Sequence, residues 1–260
     1  MLWMRFLLDG RPALGQLDGD RVVVHEGSIF DSPRPTGQVL AADAVHWLAP
    51  CEPGKFICLW NNFHAAAAKQ SQAIPAEPLW VIKAASALSA HRAPIPAPAA
   101  TAYDGRVVFE GELGVVIGRH CRDVDEAQAA NHILGYTCVN DVTALELINR
   151  DPAFAQWTRA KSFDGFGPFG PVIATGLDPL SLTVRTLVGG RERQNYPVAD
   201  MIFKPAQIVA RLSREMTLEP GDVISCGTSL GVLPMRPGQL VEVSIEGIGT
   251  LSNEYQAAAA

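Results

Sequence analysis

The sequence predicts a β-rich α+β fold, a rolled sheet or distorted barrel with a small N-terminal β-rich subdomain. Three observations carry this. Short β-like runs recur along the whole chain, few stretches show helical spacing, and Gly, Pro and Asp turns separate the runs where a doubly wound parallel sheet would need amphipathic helices.

Residues 2–8 and 21–25 read as strands split by Asp-Gly turns, followed by a proline-rich break at 32–35 and an Ala-rich stretch ending at Pro50. Residues 1–54 are therefore assigned to the N-terminal subdomain and 55–256 to the main domain. Strands are expected over 55–60 and 79–83, with a short Ala-rich helix at 64–70 between them. Three prolines within 93–99 argue against regular structure there. Residues 106–118 form the longest strand-like segment, followed by a helix near 126–132, a strand near 133–140 and a polar, aromatic loop over 151–171. Segments 182–188 and 191–196 flank Gly189-Gly190, a two-residue hairpin signal. Ile208, Val209 and Leu212 fall at helical spacing within 206–216, and strands are expected at 223–226 and 240–245. Residues 257–260, all alanine, read as a frayed end.

Composition narrows the function. The 260 residues carry 21 Lys+Arg against 27 Asp+Glu, a formal charge of −6, so nucleic acid and anionic membrane surfaces are not expected partners. Charged residues are only 18% and hydrophobic ones 48%, which implies surface hidden in a core or against a second subunit, and a homo-oligomer is expected. Five scattered cysteines without a CxxC pair indicate neither a disulfide framework nor a thiolate zinc site. No apolar run approaches the roughly 18 residues of a membrane span and the N-terminus lacks a signal-peptide core, so a cytoplasmic location is expected.

The chemistry concentrates in acidic residues. In VVFEGELGVVIG a strand places Glu110 and Glu112 on one face, with Phe109, Leu113, Val115 and Ile117 on the other. Gly111 and Gly114 leave room for close approach to the backbone. An isolated pair of this kind equally describes a solvated edge strand. About thirty residues on, Asp141 ends another apolar strand, and three hard oxygen donors suit Mg²⁺, Mn²⁺ or Ca²⁺ better than zinc. The loop QWTRAKSFDGFGPFGP adds Arg159 and Lys161, cations suited to a carboxylate-bearing substrate, and Thr228 lies in a Gly-rich loop able to receive a carboxylate.

The order of the segments EPLWVIKAASAL, FEGELGVVIG, GYTCVNDVTA, QWTRAKSFDGFGPFGP, DMIF, MTLEPGDVISCGTSLGV and VEVSIEGIGTLSN resembles the fumarylacetoacetate hydrolase family, in its small acylpyruvate branch. The resemblance implies a β-roll fold, narrows the expected homo-oligomer to a homodimer, and implies a divalent cation held by Glu110, Glu112 and Asp141, and a pocket in which Lys161 and Lys83 contact a 2-oxo acid while Thr228 holds its carboxylate. It also implies an enolate left when the C3–C4 bond breaks. Hydrolysis of an acylpyruvate such as fumarylpyruvate is the leading expectation. Decarboxylation or isomerisation of a 2-oxo diacid through the same enolate is the alternative, and a non-catalytic metal and oxo-acid binding protein is the third. The chain departs from the family pattern at two places. Where relatives place a His–Glu pair that activates water, it has Ala66 and Lys69, so that His64, two residues early, is the remaining candidate base. Leu145 stands where relatives carry an arginine.

Overall fold

The computed structural model describes residues 1–258. Within them two open sheets pack around the main core, and neither closes into a barrel, so the architecture is a rolled β structure and the distorted-barrel alternative is set aside. The chain begins as an antiparallel meander, β1 (Leu2–Leu8), β2 (Arg11–Asp18), β3 (Arg21–Ser28) and β4 (Asp31–Ala41), with β5 (His46–Leu48) returning to pair with β1. The expected break at 32–35 is instead part of β4. Its two prolines fit because β4 is the outermost strand of the sheet, where a missing N–H breaks no ladder.

The next elements are β6 (Phe56–Trp60), α1 (His64–Lys69), β7 (Leu79–Lys83), β8 (Leu88–Ser89) and β9 (Ile95–Pro96). The expected long strand over 106–118 divides into β10 (Val107–Val108) and β11 (Gly111–Ile117), with Glu110 at the break. After α2 (Glu126–Ala129) come β12 (Ile133–Asn140) and β13 (Thr143–Ala144). Inside the expected loop over 151–171 lie a one-turn helix, α3 (Trp157–Lys161), and the start of β14 (Gly167–Ala174). The hairpin β15 (Thr183–Val188) to β16 (Arg191–Pro197) turns through Gly189 and Gly190 at φ 56° and 72°, the paired left-handed geometry of the tight turn that glycine permits. The last elements are α4 (Pro205–Glu215), β17 (Val223–Ser225), β18 (Gln239–Ile245) and β19 (Gly249–Gln256).

The large sheet runs β4-β3-β2-β1-β14-β12-β11-β17-β6-β7 and the smaller one β16-β15-β18-β19-β9, while β10 and β13 pair as a separate two-stranded ribbon. Strand β11 is central, between β12 and β17, and buried along its whole length. Its Leu113, Val115 and Ile117 enter the main core with Ile208, Val209 and Leu212 of α4, while Val116 packs on the opposite face of the sheet. The solvated-edge reading of this strand is thereby excluded. The space beside its glycines is also taken. A Cβ on Gly111 would lie 2.0 Å from Thr186 Oγ1 and one on Gly114 would lie 2.7 Å from Val139 Cγ2, so both glycines serve interior packing.

The chain passes between the sheets through residues 88–96, where β8 pairs with β14 and β9 with β19. His91 sits at this crossing, its ring 5.1 Å from that of Trp47 and its Nδ1 accepting the Ser252 N–H at 3.1 Å. All five cysteines are buried and free. Among the described residues no helix is long and apolar enough to cross a membrane. Of the terminal alanines, residues 257 and 258 are exposed and outside secondary structure, and residues 259–260 lie outside the described residues.

Burial, aided by nearby Arg92, pushes the His91 imidazole down from 6.5 to about 4, so the unfolded chain takes up a proton that the native state refuses. Stability contributed by neutral His91 is complete above pH 6.5 and is lost as pH falls toward about 4. Urea unfolding at pH 7.5 and 4.5 is expected to show the native protein losing more stability on acidification than His91→Asn; equal losses contradict it.

Candidate active site

The site is built where β11 and β12 run antiparallel with Gly111 opposite Asn140. That register brings residues thirty apart together: Asp141 N–H donates to the Glu110 carbonyl at 2.9 Å, and Glu110 N–H donates to Asn140 Oδ1 at 3.1 Å. Carboxylate oxygens of Glu110, Glu112 and Asp141 consequently lie within 4.8 Å of one another. Glu112 and Asp141 are fully buried, while Glu110 reaches the wall of an open cavity of about 260 Å³.

Two lysines face this cluster. Lys161, at the end of α3, donates from Nζ to Glu110 Oε2 at 2.9 Å, Asp141 Oδ2 at 2.5 Å and Thr143 Oγ1 at 2.8 Å. Lys83, at the end of β7, lies behind it with Nζ 2.6 Å from Asp141 Oδ1, and donates to the carbonyls of Lys161 and Phe166 at 2.8 and 2.9 Å. Asp141 is thus gripped from both sides. Burial favours its neutral form, but the lysines, Lys161 first, outweigh burial and hold its carboxyl below the usual range. The Lys161 ammonium, disfavoured by burial, is held charged by Asp141 and Glu110.

Glu112 has a different environment. Its Oε2 accepts from Ser225 Oγ at 2.5 Å and Gly227 N–H at 2.8 Å, while its buried Oε1 has no partner. Burial first, then Asp141 and Glu110, push its carboxyl well above the ordinary range, and burial raises Glu110 as well. Two lysines against three carboxylates leave one surplus negative charge if all are ionised. An orphaned carboxylate oxygen beside two others is a donor set that fits a hard divalent cation, with Glu110, Glu112 and Asp141 as the residues that would hold it.

Thr228 lines the cavity, but its hydroxyl is already engaged, donating to the Gly111 carbonyl at 3.0 Å and accepting from Gln194 Nε2 at 2.8 Å. Gln194 also receives the Gly111 N–H at 3.0 Å, and Tyr196 Oη donates to the Gly111 carbonyl at 2.5 Å. These β16 side chains hold the backbone between the two glutamates, a role missed in the sequence. Their signal was a buried polar Gln194 in phase with Tyr196 on an otherwise exposed strand.

Three expected site residues are placed elsewhere. His64 is exposed at the start of α1, which turns Ala66 and not His64 into the cavity. Arg159 is exposed and donates to Gln156 Oε1 at 3.3 Å, because on the single turn of α3 it points away from Lys161. Lys83 does not reach the cavity; its ammonium is spent behind Asp141.

Residues 55–256 match the family described as "Fumarylacetoacetate (FAA) hydrolase C-terminal", and residues 1–50 match "Rv2993c-like, N-terminal". A protein from Archaeoglobus fulgidus named only as uncharacterized is 41% identical over 251 residues, covering 96% of this chain and 94% of that protein. The crystal structure of 2-hydroxyhepta-2,4-diene-1,7-dioate isomerase from Mycobacterium marinum superposes with a TM-score of 0.90 at 37% identity, covering 100% of both chains. Fumarylacetoacetate hydrolase from Exiguobacterium antarcticum does so with a TM-score of 0.88 at 33% identity, covering 99% of each.

Two substitutions test this cluster. Glu112→Gln should remove high-affinity Mg²⁺ or Mn²⁺ binding in calorimetry, and an unchanged affinity would sink the ligand assignment. Asp141→Asn leaves two buried ammonium groups short of a counter-charge, and a loss of about 3–5 kcal/mol in urea unfolding is expected.

Proposed function

The chain belongs to the fumarylacetoacetate hydrolase family, and from that premise we propose that it is a divalent-metal-dependent enzyme that hydrolyses the C–C bond of an acylpyruvate. The observation that supports this most is the trio of half-buried Glu110 with buried Glu112 and Asp141, opening through Glu110 onto a cavity wall shared with Lys161. A bound Mg²⁺ or Mn²⁺ would supply Lewis-acid polarisation of a 2-oxo group and charge stabilisation for an enolate. Water adds OH to the departing acyl carbon and a proton to C3, so that R–CO–CH₂–CO–COO⁻ and H₂O give R–COO⁻, pyruvate and a proton.

The chain's own residues perform three tasks in this reading. Lys161 holds Glu110 and Asp141 in place and favours their charged forms, and its fixed ammonium faces the negative charge that develops on the substrate. Lys83 bolts the 161–166 segment to Asp141, so the cluster is rigid before substrate arrives. The Thr228 loop supplies the opposite wall, fixed to β11 through Gly111.

One observation favours a second reading. With Ala66 at the cavity and His64 exposed, no histidine among the described residues lines the site to activate water. Decarboxylation or isomerisation of a 2-oxo acid uses the enolate without an attacking water. The structural neighbours include proteins named for an isomerase and for a hydrolase, and both chemistries fit the family.

Product analysis separates the two. Metal-loaded protein is expected to release pyruvate and the matching acid from acylpyruvates, and to stop on EDTA addition. Carbon dioxide from oxaloacetate, or a shifted double bond without cleavage, would replace the hydrolase reading with the second one. Lys161→Ala should lower kcat/KM by about 10²-fold or more, while His64→Ala leaves it within about twofold; a large effect of His64→Ala would restore His64 as the base.

A further inference from the structure

Beyond the carboxylate cluster the cavity changes character. Leu59, Trp60, Leu145, Ile148 and Trp157 all line it, with the Trp60 and Trp157 rings 5.6 Å apart. Lys161 is the one cation lining it among the described residues, and its Nζ is already shared among Glu110, Asp141 and Thr143. The neighbouring arginines are directed elsewhere. Arg106 pairs with Glu146 at 2.5 Å, Arg150 lies over the Tyr103 ring at 5.8 Å, and Arg159 bonds Gln156.

Resting on the function proposed above, we propose that the site selects a 2-oxo acid with a single carboxylate and an apolar alkyl or aryl tail, and that Leu145 is the residue that discriminates against a second carboxylate. Charge and desolvation point the same way. With all three carboxylates ionised as cation ligands, they and the two lysines sum to one negative charge, a divalent cation turns this to one positive, and one substrate carboxylate then brings the site to neutrality. A second carboxylate adds an uncompensated charge: the polar lining residues Asn61, Gln70 and Ser229 carry none, and against Leu145, Ile148 and Trp157 it loses hydration with no cation to meet it. An apolar tail on the same wall leaves no group unpaired and removes apolar surface from water. Leu145 is the decisive position because it is half-buried at this wall, four residues beyond Asp141, with its N–H fixed to the Arg106 carbonyl at 3.0 Å. A cationic side chain there has room to reach a distal carboxylate.

The test uses the full-length protein loaded with Mg²⁺ and two ligands of equal chain length, 2-oxohexanoate, ending in a methyl, and 2-oxoadipate, ending in a carboxylate. Calorimetry at near-physiological salt is expected to show the monoacid binding about tenfold tighter or more. Leu145→Arg and, independently, Leu145→Lys should shift the ratio toward the diacid by about tenfold, with circular dichroism and melting confirming the fold. Equal or tighter binding of 2-oxoadipate by the unmodified protein, binding of neither acid, or a ratio unmoved by folded variants overturns the proposal. If the monoacid preference stands while no acylpyruvate is cleaved, the hydrolase reading fails and this inference does not.

Discussion

Asp141 held between Lys83 and Lys161 is the interaction on which the rest of the site depends. A carboxylate buried this deeply stays charged only because two ammonium groups meet it; Lys83 is in turn satisfied by Asp141 and three carbonyls, and Lys161 by Asp141, Glu110 and the Thr143 hydroxyl. Those contacts join three parts of the chain: the end of β7, the turn after β12 and the helix α3. Removing one charge leaves the others stranded in the interior, which is why such a network rigidifies a site as well as charging it.

The second constraint is the backbone at Gly111. It separates the two glutamates, and β15 and β16 crowd it so closely that Thr186 fills the volume a Cβ would need. Gln194, Tyr196 and Thr228 all bond its peptide groups. Side chains of the smaller sheet therefore position a cluster whose carboxylates come from β11 and from the segments flanking β11 and β12. Glu112, left with one unpartnered buried oxygen, carries the cost of that arrangement, and a cation is the partner whose chemistry answers it.

Much of the fold was legible because local patterns and global packing agree. The strand at residues 133–140, the Gly189-Gly190 hairpin and the amphipathic α4 follow directly from periodicity and turn chemistry. Disagreements arose where position in the sheet overrides composition. Prolines at 33 and 35 are compatible with β4 because it is an edge, and Phe109 and Glu110 form a break between β10 and β11 that their apolar neighbours would have bridged. The one-turn helix α3 was hidden because five residues give too little periodicity to read, and its single turn separates Lys161 from Arg159.

By itself the sequence determined the β-rich class and the acidic residues Glu110, Glu112 and Asp141 with their hard-oxygen chemistry, since residue identity and strand period are local properties. Only the tertiary structure decided that His64 and Arg159 face solvent, that Lys83 supports Asp141 from behind, and that Gln194 and Tyr196 clamp Gly111. These outcomes depend on which distant segments meet and on the direction each side chain takes from its element, and neither quantity is encoded in the spacing of residues along one strand or one turn of helix.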